Sequence, residues 1–149
     1  MSIFPTKILL ATDGSEEATL AARTATDAAA KTDSELHVLL VGLSAAYVGM
    51  GPPEIADIPP PRQQELDEEA QRLLDAQVKQ IEVDGSNVAQ AHLRVGRPDE
   101  QIVALADEIG AGLIVMGSRG LGGLRRLLMG SVSDSVVRHA HCPVMIVRA

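Results

Sequence analysis

The sequence predicts an α/β fold in which helices cover both faces of a parallel sheet. Three observations carry that reading. Short apolar runs alternate with stretches of helical periodicity in the order βαβαβαβαβ. The first four runs are each followed by a glycine, in turn Gly14 (after Asp13), Gly42, Gly96 and Gly117. The 149 residues suit one domain, 1–149, whose core needs no disulfide or structural metal.

Lys7–Thr12 (KILLAT) reads as a buried strand. An alanine-rich helix over Ser15–Lys31 follows, with Ser15 as its cap and Glu16 and Glu17 at the positive end of its dipole. Glu35–Val41 (ELHVLLV) is the second strand. Gly42 to about Pro61, with the triple proline Pro59–Pro61, reads as a long irregular loop, either functional or a disordered insertion. Arg62–Val83 is a helix whose stripe is Leu66, Ala70, Leu73, Leu74, Gln77 and Ile81. Glu65, Asp67, Glu68 and Glu69 belong to its solvated side, and Asp84-Gly85-Ser86 ends it.

Val88–Val95 (VAQAHLRV) alternates, as a strand near an edge does. Pro98 opens the next helix, Ile102, Leu105, Ala106 and Ile109 form its stripe, and Gly110 ends it. Leu113–Met116 is the fourth strand, Ser131–Ala140 a short helix and Pro143–Val147 the fifth strand.

Composition excludes several functions. The formal net charge is −7, against general DNA or membrane-surface binding. Phe4 and Tyr47 are the only aromatics, against base-stacking platforms. No apolar run approaches the ~18 residues of a membrane span, and the N-terminus lacks a signal-peptide pattern, so the expected location is cytoplasmic. Cys142 reads as a buried, inert thiol. His139, His141 and Cys142 lack a second ligand pair at metal spacing, and His139 suits a helix C-terminus. His37 and His92 read as lone structural histidines, and no G-x-S-x-G elbow marks a hydrolase.

The chemically distinctive stretch is residues 117–133, GSRGLGGLRRLLMGSVS. Five glycines and three arginines occupy it with no acidic residue, in an acidic chain. Glycines let backbone N–H groups approach an anion, and Gly130-Ser131 open a helix whose N-terminus offers unpaired donors. Ser131 and Ser133 add hydroxyls, and Arg119, Arg125 and Arg126 add charge. The pattern points to a phosphate chain, while a tight turn would also explain the glycines. Arg125 and Arg126 also fit a solvated surface. Neither the P-loop nor the dinucleotide pattern is present. Asp13, at the end of the first strand, suits a ribose hydroxyl or an ion, a helix cap, or both.

Gly117-x2-Gly120-x9-Gly130-Ser131 resembles the G-x2-G-x9-G-[S/T] motif of the ATP-binding branch of the universal stress protein family. KILLATDGSEEA is similar to that family's first strand and turn, and LIVMGSRGLGGLRRLLMGSVSDSVVRHAHCPVMIVR to its C-terminal third. Gly112 and His141 depart from its usual residues, Gly112 in a way expected to loosen the turn before the fourth strand.

The resemblance implies an open five-stranded parallel sheet of order 3-2-1-4-5, Rossmann-like and adenine nucleotide alpha hydrolase-like. It implies ATP, with Mg²⁺, as the ligand. Ala11, Thr12 and Asp13 would lie near the adenosine, with Asp13 as a possible Mg²⁺ contact, and Val41 would meet the adenine. Met116 and Gly117 would border the ribose, and Arg119, Gly120, Gly130, Ser131, Val132 and Ser133 would surround the phosphates. It further implies a homodimer through Val144–Val147 and a nucleotide-dependent regulatory role in stress with little or no catalysis. The alternatives are a nucleotide-independent interaction module and a slow ATP hydrolase or phosphotransferase.

Overall fold

The computed structural model describes residues 2–45, 62–118 and 130–148. Its elements are β1 (Lys7–Thr12), α1 (Glu16–Thr32), β2 (Glu35–Gly42), α2 (Gln63–Val83), β3 (Val88–Val95), α3 (Pro98–Ile109), β4 (Leu113–Gly117), α4 (Ser131–His139) and β5 (Val144–Val147). The strands form one parallel sheet of order β3-β2-β1-β4-β5, as expected. Element ends differ from the sequence reading by a residue where caps intervene, as at Ser15 and Arg62.

Strand alternation sorts the apolar residues into two cores. Ile8, Leu10, Val38, Leu40 and Val115 face α1 and α2. Leu9, Leu39, Val41, Ile114 and Met116 face α3 and α4. The register sets Leu10 beside Val38 and Val115, so the three central strands bury both faces. Ala18, Ala21, Ala22, Ala25 and Ala29 give α1 a flat buried face against the sheet. Each fully buried leucine contributes roughly 2 kcal/mol by apolar transfer. No helix among the described residues is long and apolar enough to cross a membrane.

Several local expectations need correction. Leu73, assigned to the buried stripe of α2, is 38% exposed, beside Gly14. Gln77 of the same stripe is buried, with its Oε1 accepting from the Thr12 hydroxyl at 3.0 Å. Gly112 does not loosen its turn: a Cβ there would come within 3.0 Å of Thr6 Cβ, so glycine is what the packing accepts. Cys142 is half-buried; burial pushes its thiol pKa up, and Asp107 adds to the shift.

The histidines of β2 and β3 are not lone. His37 and His92 stack with ring centroids 5.4 Å apart, and His37 Nδ1 lies 3.1 Å from His92 Nε2. Parallel pairing of adjacent strands brings them together, although they are 55 residues apart in sequence. Burial lowers the His92 pKa below the ordinary imidazole range; His37 and Arg94 lower it further, against Glu108.

Candidate functional site

A cleft partly open to solvent lies at the carboxyl ends of β1, β2 and β4. Open parallel sheets bind ligands at this edge, where strand order reverses. Buried Leu39, Val41, Ile102 and Met116 give it an apolar floor. Ala11, Thr12, Asp13, Ser15, Ala18, Gly117 and Val132 complete its lining.

The opening at Val41 follows from unequal strand lengths. The last β1–β2 pair is Thr12 with Leu40, whereas β2 continues beside β3 with Val41 opposite Arg94 and Gly42 opposite Val95. The β1-facing edge of β2 is therefore uncovered at Val41, and the cleft opens there.

At the next turn, Asp13 Oδ1 accepts from the Ser15 N–H at 2.9 Å, and Ser15 Oγ accepts from Ala18 N–H at 3.2 Å. Ser15 is thus the helix cap, and Asp13 closes the turn before it. The second oxygen of half-buried Asp13 has no partner among the described residues. The Thr12 side chain turns away from the cleft toward Gln77.

The other wall begins with Gly117. A Cβ there would meet Glu17 Cβ at 3.0 Å and its carbonyl carbon at 3.3 Å, so this glycine admits α1 against β4. Ser118, not anticipated from the sequence, follows as a buried junction. Its N–H donates to Val147 at 3.0 Å, its hydroxyl to Glu17 Oε2 at 3.0 Å, and its carbonyl accepts from Gly130 N–H at 2.6 Å. Ser118 and Gly130, twelve positions apart in sequence, are thus joined directly.

Gly130 starts α4 with no side-chain cap. The first-turn N–H groups of Ser131, Val132 and Ser133 have no intrahelical acceptor and carry the positive end of the dipole. Val132 reaches the cleft, and Ser131 is exposed beside it. Ser133 is buried at 1% exposure, and its hydroxyl donates to Ser118 O at 2.9 Å and Gly130 O at 3.0 Å. That hydroxyl secures the helix start, which leaves its backbone N–H as the group available to a ligand. A second clip, Ser135 Oγ to Asp99 Oδ2 at 2.7 Å, ties α4 to α3. Burial pushes the Asp99 carboxyl up, but Ser135, the Glu100 N–H and Arg97 outweigh it and hold the pKa below the usual range.

The fold thus brings Ala11, Thr12, Asp13, Val41, Met116, Gly117 and Val132 to one cleft, with Gly130, Ser131 and Ser133 at its rim helix. Arg119 and Gly120, with Arg125 and Arg126, lie outside the described residues. Leu39, Ile102, Ser15 and Ala18 were missed as lining. Leu39 was inferable, because it shares a strand face with Val41. His139 Nδ1 donates to Ser135 O at 2.8 Å, and His141 Nδ1 lies 3.2 Å from Asp107.

Comparison with known proteins gives the same frame. The family model described as the universal stress protein family matches residues 5–148. The universal stress protein MJ0531 of Methanocaldococcus jannaschii is 36% identical over 147 residues, covering 95% of this chain and 81% of its own. The structure of UspA from Lactobacillus plantarum superposes with TM-score 0.79 at 26% identity, covering 99% of this chain and 100% of that one. A universal stress protein from Archaeoglobus fulgidus, solved in complex with dAMP, has TM-score 0.68 at 26% identity, covering 98% and 99%. With the family model matched over residues 5–148 and a curated member 36% identical, the chain belongs to the universal stress protein family.

Proposed function

We propose that this protein binds an adenine nucleotide, ATP with Mg²⁺ in its fullest form, and acts as a nucleotide-dependent regulator. The observation that carries this reading is one cleft with two unlike ends. Its floor is apolar, formed by Leu39, Val41, Ile102 and Met116, and suits a flat ring. Its rim holds the uncapped N-terminus of α4, which suits phosphate. Asp13 stands between them with an oxygen to offer a ribose hydroxyl or a cation. The dAMP complex of the Archaeoglobus fulgidus relative supports the nucleotide class.

Mg²⁺, when bound, would neutralise phosphate charge, and Asp13 is the described cleft residue able to hold it. Asp13 is also the only carboxylate in the described lining, and the turn already uses one of its oxygens. The proposal therefore includes slow or negligible turnover, because phosphoryl transfer needs a positioned nucleophile beside the metal. Rapid phosphate release abolished by Asp13→Asn would overturn that part. Pairing through β5 is also proposed: it is an edge strand and exposes Met145. A monomer by light scattering at micromolar concentration would overturn it.

The deciding experiment is calorimetric titration of nucleotide-stripped protein with Mg·ATP, ADP, AMP and dAMP. Micromolar binding of at least one, about −8 kcal/mol, is expected. No heat with any of them would sink the reading.

A further inference from the structure

Ser118 and Glu17 stand directly behind the cleft wall, and the proposed nucleotide site does not use them as ligands. Ser118 is 5% exposed and Glu17 8% exposed, a buried carboxylate in the first turn of α1. Their cleft-lining neighbours are Gly117 on one side and Ser15 and Ala18 on the other. Every polar group of Ser118 is engaged. Through its N–H it extends the β4–β5 ladder to Val147, through its hydroxyl it reaches α1, and through its carbonyl it holds Gly130 and the Ser133 hydroxyl at the start of α4.

We propose that Ser118 and Glu17 are positioning residues that set the phosphate end of the site apart from its adenosine end. Four elements meet at Ser118. The Glu17 carboxyl fixes the side chain by accepting from its hydroxyl at 3.0 Å in a buried setting, where a hydrogen bond is electrostatically stronger than in water. That side chain fixes the orientation of the carbonyl, and the carbonyl fixes Gly130. The N–H groups of Ser131 and Val132 then point where a phosphate chain arrives. A donor displaced by ~1 Å loses much of its value to an anion. The apolar floor rests on β2, β4 and α3 side chains and does not depend on this junction.

The inference rests on the nucleotide reading, and its test separates the two. Nucleotide-stripped wild type, Ser118→Ala, Glu17→Ala and Glu17→Gln are each titrated with Mg·ATP and with adenosine. Ser118→Ala and Glu17→Ala are expected to weaken Mg·ATP about tenfold, the scale of one buried hydrogen bond, and adenosine less than about twofold. Glu17→Gln keeps an acceptor oxygen and should fall between these variants and wild type. Amide exchange in the ligand-free variants should quicken at residues 131–134 and not in β1 or β2.

Equal losses for adenosine and ATP, or no loss for either, would overturn the positioning role and leave the nucleotide reading intact. Wild type that binds neither ligand would overturn both. Should the alanine variants not fold, Glu17→Gln alone decides. Unchanged exchange at 131–134 together with an unchanged ATP-to-adenosine ratio would refute the role.

Discussion

The helices α1 and α4 both begin at the carboxyl edge of the sheet, after adjacent strands, and both reach the same cleft. Their N-termini are treated in opposite ways. At α1 the Ser15 side chain takes the Ala18 N–H, Asp13 takes the Ser15 N–H, and Glu16 and Glu17 meet the dipole. At α4 the first residue is Gly130, which has no side chain to give. Ser133 turns backward to Ser118 and Gly130 instead of capping. One helix end is satisfied by its own side chains, and the other starts on a glycine with no side-chain cap. Under the proposed function the anion is expected at α4, while the cap at α1 serves stability.

The largest expected effect comes from closing the open end. Gly130→Asp should place a cap and a negative charge at α4; Gly130 already has extended backbone (φ −64°, ψ 158°) that any residue adopts. Mg·ATP affinity should fall on the order of a hundredfold, since like charges brought together cost several kcal/mol. The ligand-free protein should at the same time gain a few tenths of a kcal/mol. Calorimetry and thermal melting check the two parts, and a variant that keeps its ATP affinity would break the comparison.

Gly117→Val tests the wall between the two helices. Its side chain would strike Glu17, which approaches a bare Cβ position to 3.0 Å, so a loss of about 1–3 kcal/mol is expected by urea titration. Ser15→Ala opens the closed end and should cost about 1 kcal/mol in the same assay. An unchanged midpoint would mean that α1 does not need its cap.

Acid sharpens the comparison from elsewhere in the fold. His92 faces His37 of β2, whose Nε2 lies 3.5 Å from Glu35, together with Arg94 of its own strand and Glu108 of α3. Its folded pKa lies below the ordinary value of 6.5, so the unfolded chain binds the proton more readily. Its contribution is full above pH 6.5 and is lost as pH falls from there through the lowered folded value. His92→Gln should flatten that part of the stability-versus-pH curve. A slope that persists unchanged would assign it to another group.

Much of this was legible in the sequence, for local reasons. Apolar runs and helical stripes located every element among the described residues, because burial imposes period 2 on strands and period 3.6 on helices. Ser15, Gly110 and Pro98 marked helix ends through backbone chemistry that acts over one turn. The glycine spacing pointed to the cleft that Gly117, Val132 and Asp13 line.

What stayed hidden needed contacts between distant segments. Serine 118 is one small polar residue in a serine-bearing stretch, and only β4 pairing with β5 and packing on α1 makes it a junction. Ser133 read as a ligand hydroxyl because a sequence does not show which way a side chain turns. His37 and His92 read as separate because strand register, not sequence distance, decides their contact. The sequence by itself determined the elements, their order and the chemistry available at the strand ends. Which helix end is closed and which is open was decided only when the sheet placed α1, β4 and α4 together, because hydrogen-bond partners are settled by distances of about 3 Å that no local pattern encodes.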